Sequence, residues 1–279
     1  MSRLPNFIFI GPDKAGSTWL HEKLIRHPEA FFTPAKDLYF FSRYYDRGMG
    51  WYADQFKGAR PEHKVVGEVC QDYLFHAEAA TRIATELGPV KTMVSLRDPV
   101  ERAWSSWLYA RKHGMWPEDF LTAVQTVPEL LDHSRYASGL DRFGEKFDRD
   151  SILIAVFDDL GTDPQAFLDN VTDFLDISRL PLSEEEQQPT LAAAEARSVK
   201  VAHAIRRTAD VIRERGGAKV IGAVKRNPVV HRVLYRPIDK AAVRPAPDAV
   251  DYIRVQLADE VSRLDSEWGQ DVARRWGWQ

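Results

Sequence analysis

The stretch Phe9-Ile10-Gly11-Pro12-Asp13-Lys14-Ala15-Gly16-Ser17-Thr18-Trp19-Leu20 decides the fold. Its first residues end a short apolar run, Phe7 to Gly11, that reads as a buried strand. Gly11-Pro12 stops the strand, and a helical pattern runs from Ser17 to Arg26. Strand, tight turn and helix in this order aim backbone N–H groups at one spot, a ready site for phosphate or sulfate. Ser17 and Thr18 add hydroxyl donors and are N-cap candidates. Gly11 and Gly16 hold the glycine positions of the nucleotide-kinase pattern G-x-x-x-x-G-K-[ST], but Ser17 stands where that pattern has its lysine. The ammonium is Lys14, inside the loop, where it suits a 5′ group shorter than a triphosphate.

Working outward, Lys64 to Glu68 is a second strand candidate, followed by a helix over 77–87. Val90 to Leu96 is a third, with a helix from Pro99 to Lys112, and Ser151 to Phe157 is a fourth, with a helix from Asp163 to Leu175. This alternation predicts an α/β protein with a central parallel sheet flanked by helices. Beyond Leu180 no strand pattern emerges. Residues 195–215, 219–236 and 247–268 read as helices, broken by Gly216-Gly217 and Pro245-Ala246-Pro247. No repeat or Gly/Ser linker divides the chain, so the expected organisation is one domain over 1–279. Within it, 1–180 forms an α/β nucleotide-binding core and 181–279 a mainly helical part.

Composition sets the frame. With 279 residues, 44% hydrophobic and 28% charged, disordered and fibrous classes drop out. The single cysteine, Cys70, excludes an internal disulfide framework and a multi-cysteine zinc site, and fits a reducing, cytoplasmic setting. The opening apolar run is too short to span a membrane and lacks a signal-peptide cleavage pattern, so no integral membrane contact is expected. The net charge of -3 hides an asymmetry: Arg197 to Arg244 holds 13 Lys/Arg against 3 Asp/Glu. That stretch reads either as a solvated helical face or as a surface for an anionic cofactor, substrate or membrane. No nucleic-acid partner is expected.

A second motif is Arg97-Asp98-Pro99 at a strand end, with Ser105 eight residues after the arginine. Arg97 offers a planar fork for a phosphate, Pro99 suits a helix's first turn, and Ser105 lies about two turns along. Together, Lys14 to Leu20 resembles the 5′-phosphosulfate loop of sulfotransferases that use 3′-phosphoadenosine 5′-phosphosulfate (PAPS), and Arg97 with Ser105 is similar to their 3′-phosphate motif. The resemblance implies a P-loop-like fold, PAPS as sulfuryl donor and no metal. It implies that Lys14, Ala15, Gly16, Ser17, Thr18 and Trp19 hold the 5′ end, and Arg97 and Ser105 the 3′-phosphate.

Pro34-Ala35-Lys36-Asp37-Leu38-Tyr39-Phe40-Phe41, with Gly50-Trp51-Tyr52 after it, resembles the Lys-Glu-x-His-Phe-Phe segment of the heparan-sulfate and bacterial branch. This implies Asp37 as the base taking the acceptor proton and Lys36 as a neighbour of donor or acceptor. Here Asp replaces Glu, and Tyr39 replaces His. Glu68-Val69-Cys70-Gln71-Asp72-Tyr73 answers Glu-Lys-Ser/Thr-Pro-x-Tyr, with Val69 where the family often has a lysine. Glu68 competes with Asp37 as base, and His76 and His113 are weaker alternatives. Ser134-Arg135-Tyr136 is similar to a short helix of the family, implying a contact of Tyr136 with PAPS. Phe157 to Pro164 and Leu264 to Trp276 resemble architectural segments. Residues 180–245 match no motif.

The expected activity is transfer of a sulfuryl group from PAPS to a hydroxyl of a small-molecule, glycolipid or natural-product acceptor. The 197–244 stretch is expected to form an acceptor-side wall or lid with peripheral membrane contact. Two alternatives stand beside it: a P-loop kinase or nucleoside triphosphatase, disfavoured by Ser17 and by the lack of a strand-terminal Asp for Mg²⁺, and a catalytically inactive nucleotide-binding module.

Overall fold

A computed structural model of the chain describes residues 3–111, 115–187, 194–196, 235–237 and 244–279. In chain order its main elements are β1 (Phe7–Gly11), α1 (Ser17–Leu24), β2 (Ala30–Phe32), α2 (Gly48–Asp54), β3 (Val65–Val69), α3 (Ala79–Leu87), β4 (Lys91–Leu96) and α4 (Pro99–Arg111). There follow α5 (Phe120–Thr126), α6 (Glu129–Asp132), α7 (Tyr136–Gly144), β5 (Ile152–Val156), α8 (Phe157–Thr162), α9 (Pro164–Phe174) and α10 (Glu184–Gln187). Two short strands, β6 (Ala194–Ala196) and β7 (Tyr235–Pro237), precede α11 (Pro247–Ser266) and α12 (Val272–Trp276).

The first five strands form one parallel sheet in the order β2-β3-β1-β4-β5. Both faces are covered, which is why β1 is a continuous apolar run rather than an alternating one. Ile8 and Ile10 join a cluster with Phe40, Phe41, Tyr73 and Leu140. Phe7 and Phe9 point into a second cluster with Leu20, Leu24, Leu168 and Val171. The chain leaves β1 towards β2 on one side of the sheet, whereas β4 leads outward to β5 on the other. The carboxyl ends of β1 and β4 therefore flank a topological switch point, the place where open α/β sheets bind ligands. The loop after β1 carries Lys14 and the corner after β4 carries Arg97.

The four expected strands are present to within two residues at either end, as are the helices after them. β2 was not expected: three residues carry too little alternation to stand out. The expectation of no strand beyond Leu180 is corrected by β6 and β7, which pair antiparallel with Ala194 opposite Pro237 and Ala196 opposite Tyr235. Ala-Glu-Ala is a helix-favouring composition and Pro237 cannot donate to a ladder, so both segments hide their pairing from a sequence pattern. The remainder of the expected helices over 195–215 and 219–236 lies outside the described residues. So does His113, and so does the basic stretch from Arg197 to Arg244 apart from β7 and Arg244. α11 matches its expected span, with Ala249, Ile253, Leu257, Val261 and Leu264 buried at helical spacing. No helix among the described residues is long and apolar enough to cross a membrane.

Gly67 sits mid-strand in β3, opposite Phe32 of β2 and Phe7 of β1. A Cβ there would lie 2.3 Å from Cε1 of the Phe32 ring, so the ring occupies the space a side chain would need. Gly67→Ala is therefore expected to lower stability by about 1–3 kcal/mol through overpacking. The midpoint of urea unfolding measures this, and an unchanged midpoint would show that the ring moves aside freely.

Candidate active site

The loop after β1 is shaped by three positive φ angles, at Gly11 (132°), Lys14 (61°) and Gly16 (87°). The glycines take such values readily. At Gly11 a Cβ would also meet the Gln71 carbonyl oxygen at 2.8 Å, and at Gly16 the Leu160 side chain at 3.0 Å. For Lys14 the left-handed conformation costs about 1–2 kcal/mol, of the kind retained where function requires it. Gly16 is the N-cap of α1, so Ser17 and Thr18 do not cap the helix as expected. No side chain caps its first amides, and its first turn holds no acidic residue. The helix start thus keeps donors and positive potential for an anion.

Asp13, next to Lys14, is buried beneath the loop. Its carboxylate accepts from Arg102 Nη1 (2.9 Å), Ser106 Oγ (2.7 Å) and His133 Nδ1 (3.2 Å). Burial alone pushes its carboxyl up, but the Arg102 guanidinium, His133 and Lys14 outweigh this and hold it well below the usual carboxylate range. Arg102 is itself fully buried and also donates from Nε to Ser134 Oγ (2.6 Å) and from Nη2 to the Leu130 carbonyl. Sequence reasoning missed this network. The signal available was an acidic residue inside an anion-binding loop, which requires a nearby cation to be tolerated.

Arg97 lies beside that network. Its Nη1 donates to the Lys14 carbonyl at 2.6 Å, its guanidinium stands 4.9 Å from the Phe157 ring centroid, and Glu101 lies 3.8 Å from Nη2. Burial pulls the guanidinium down, and Glu101 opposes this. Ser105 is half-buried on α4, eight residues on. Tyr136 is fully buried, and its hydroxyl donates to the Arg97 carbonyl at 2.9 Å. It thus stands behind Arg97 and holds it from the rear. Trp278 Nε1 donates to Asp98 at 2.7 Å and Trp276 Nε1 to Asp158 at 3.1 Å, so the C-terminal residues clamp the corners after β4 and β5. Trp19 packs edge-on against Phe167 of α9, leaving its backbone rather than its indole for the loop.

On the other side, Asp37 is also left-handed, at φ 63°. Its amide donates to the Val69 carbonyl (2.7 Å) and its Oδ1 accepts from the Gln71 amide (3.3 Å), which tie it to the carboxyl end of β3. Lys36 Nζ stands 2.7 Å from Asp37 Oδ2 and donates to Ser17 Oγ at 3.2 Å. Glu68 is different. It is fully buried, accepting from Tyr52 at 2.6 Å and Tyr73 at 2.7 Å, one on each oxygen. Burial pushes its carboxyl up to about 7 although both tyrosines resist the shift. Each Glu68 oxygen thus already accepts from a tyrosine hydroxyl, whereas Asp37 pairs with the half-buried Lys36. His76 follows Tyr73 in a turn, and its Nδ1 is buried with no hydrogen-bond partner among the described residues. His21 and His27 are occupied by the Thr33 and Ser178 carbonyls.

The sequence matches the family description "Sulfotransferase domain" over residues 4–206. The chain belongs to the sulfotransferase family, and its sheet with the loop after β1 is the P-loop-like fold of that family. It is 37% identical over 146 residues to the membrane-associated sulfotransferase kil1 of Dictyostelium discoideum, covering 48% of this chain and 31% of that protein. It is 30% identical over 187 residues to human heparan sulfate glucosamine 3-O-sulfotransferase 3B1, covering 64% of this chain and 47% of that one. The chain thus spans less than half the length of these relatives. A sulfotransferase from Alicyclobacillus acidocaldarius superposes with TM-score 0.71 at 19% identity, covering 99% of both chains. Mouse sulfotransferase SULT7A1, solved with PAP, superposes with TM-score 0.54 at 12% identity, covering 96% of this chain and 89% of that one. Both likenesses are of fold.

Glu68 gives a pH signature. Its folded value is raised from the ordinary 4.5 to about 7, so the folded state holds the proton more tightly than the unfolded chain. The associated stability is complete below pH 4.5 and is lost as the pH rises through about 7. Glu68→Gln keeps the volume and removes the ionisation. At pH 8 it is expected to be more stable than the parent by about 3 kcal/mol, the full shift being an upper bound. The gap should close towards pH 5. Urea unfolding at the two pH values decides, and a gap independent of pH would mean that Glu68 ionises normally.

Proposed function

We propose that the protein transfers a sulfuryl group from PAPS to a hydroxyl on a small-molecule, glycolipid or natural-product acceptor. The observation that carries this is the closure of two loops across the switch point. Arg97 Nη1 on the Lys14 carbonyl joins a phosphate-fork residue to a loop with uncapped helix amides. The donor set suits an adenosine 3′-phosphate 5′-phosphosulfate: Arg97 and Ser105 for the 3′-phosphate, the amides from Ala15 to Trp19 with Ser17 and Thr18 for the 5′ end. The solved relative holding PAP supports the same choice.

In this reading Asp37 accepts the proton of the acceptor hydroxyl as its oxygen bonds to sulfur. The sulfur–oxygen bond to the 5′-phosphate breaks, its electron pair staying on the phosphate oxygen, and PAP leaves. Lys14 meets the charge that grows on that oxygen, an effect worth most when the donor is preorganised and shielded from water. The tied backbone of Asp37 fixes the carboxylate before the acceptor arrives. Glu68 supports the wall behind it through Tyr52 and Tyr73. A kinase reading lacks support at Ser17, which carries a hydroxyl where a triphosphate would need an ammonium.

Two measurements test this. Calorimetry should show PAP binding and no competition from ATP–Mg²⁺, whereas tight ATP–Mg²⁺ binding would favour the kinase reading. With ³⁵S-labelled PAPS and a panel of phenol, steroid, glycolipid and amino-sugar acceptors, Lys14→Ala should lower turnover by about a hundredfold or more. Asp37→Asn should lower it by about 10²–10⁴-fold with PAP affinity retained. Turnover of Lys14→Ala within about tenfold of the parent would remove that residue from the chemistry.

A further inference from the structure

We infer that Lys36 is a second catalytic cation, which contacts the sulfuryl group from the acceptor side during transfer; this rests on the sulfotransferase reading above. Lys36 Nζ is within hydrogen-bonding distance of two groups that belong to opposite reactants. Ser17 Oγ, at 3.2 Å, is the first residue of α1, on the donor side. Asp37 Oδ2, at 2.7 Å, is the carboxylate assigned to the acceptor. A single ammonium that touches both marks the space between them, and that space is the path of the transferred group.

The lysine is also well placed to act there. Its side chain is 19% exposed and that of Asp37 12%, so the pair is shielded from bulk water, where an ion pair would be weak. The left-handed turn at Asp37, tied to Val69 and Gln71, fixes the partner that aims the ammonium. Lys14 is held elsewhere: its Nζ stands 3.7 Å from the ring centroid of Tyr109, on the α4 side of the loop. The two ammonium groups thus sit on different segments, Lys14 in the loop after β1 with its Nζ towards α4, and Lys36 in the segment after β2. β3 supplies no cation beside them, since its sequence is Val-Val-Gly-Glu-Val and its last residue, Val69, packs in the core with Phe9 and Leu20.

The charges divide the work. As the acceptor oxygen bonds to sulfur and the sulfur–phosphate oxygen bond breaks, Lys14 meets charge on the leaving oxygen and Lys36 meets it on the sulfuryl oxygens. Until then Lys36 offsets the repulsion between the Asp37 carboxylate and an anionic donor. When Asp37 takes the acceptor proton it becomes neutral, and the ammonium is released to the sulfuryl group.

The test separates contact with the sulfuryl group from support of the loop. PAP lacks that group, and inorganic sulfate added to the PAP complex restores an analogue of it. For Lys36→Met, PAP affinity by calorimetry is expected to stay within about threefold of the parent. Inorganic sulfate should bind the PAP complex about tenfold or more weakly, and sulfate release from ³⁵S-PAPS should fall about thirtyfold or more. Lys36→Arg should recover part of both losses. If sulfate affinity and turnover of Lys36→Met remain within about threefold of the parent, the inference is overturned while the sulfotransferase reading stands. A loss of PAP affinity as large as the loss of turnover also overturns it, since Lys36 would then only brace Ser17. Failure of the parent to bind PAP would remove the reading itself, and this inference with it.

Discussion

The buried ion pair between Asp13 and Arg102 is the constraint on which the site depends. A carboxylate inside an anion-binding loop would repel the ligand that the loop exists to hold. Burying two charges is also expensive unless each is fully hydrogen-bonded. Here both charges have partners: Asp13 accepts from three side chains, and each Arg102 nitrogen donates once, to Asp13, Ser134 and the Leu130 carbonyl. Removing one partner would strand the other charge in the interior. The pair therefore acts as a strut. It ties the loop to α4, which carries Ser105, and to the segment before α7, which carries Tyr136.

That strut explains how a loop with a left-handed lysine is held in one shape. Lys14 is fixed on its N-terminal side by Asp13, and its own carbonyl accepts from Arg97. Arg97 is held in turn by Tyr136 on its carbonyl, and the next residue, Asp98, by Trp278. The corners after β1 and β4 are thus one assembly with parts drawn from four regions of sequence. The parallel sheet brings them together by ending both strands at the same edge. Strain at Lys14 is tolerated because the surroundings over-determine it.

The strand and helix framework of this assembly is legible in the sequence. Phe7 to Gly11 followed by the Lys14 loop announced a strand–turn–helix corner, because glycine spacing and an apolar run are local signals. The strand end before Arg97 and the helix that carries Ser105 were legible for the same reason. What stayed hidden depends on contacts distant in sequence. Asp13 and Arg102 are 89 residues apart and Asp98 and Trp278 are 180 apart, with no local pattern to join them. The capping of α1 was also misread, since Ser17 and Thr18 are good caps by type but Gly16 already holds the position. Glu68 looked like a competitor of Asp37 because sequence shows a carboxylate at a strand end and not the two tyrosines that enclose it. β2, β6 and β7 were missed because three residues are too few for a period to show.

The fate of the two carboxylates bears on how an acidic region can serve an anionic donor. Asp37 and Asp72 both raise the cost of ionising Glu68, and Asp37 that of Asp72. Paired carboxylates take distinct roles when their environments push them apart. Glu68 is enclosed, and burial drives it towards the neutral form near neutrality. Asp72 is likewise pushed up by burial, while Arg43, Cys70 and Ser42 hydrogen-bond or pair with it and limit the shift. Asp37 instead lies 2.7 Å from the Lys36 ammonium. Around the loop stand Lys14, Lys36, Arg97 and the uncapped amides at the start of α1, with Arg102 paired to Asp13 beneath them.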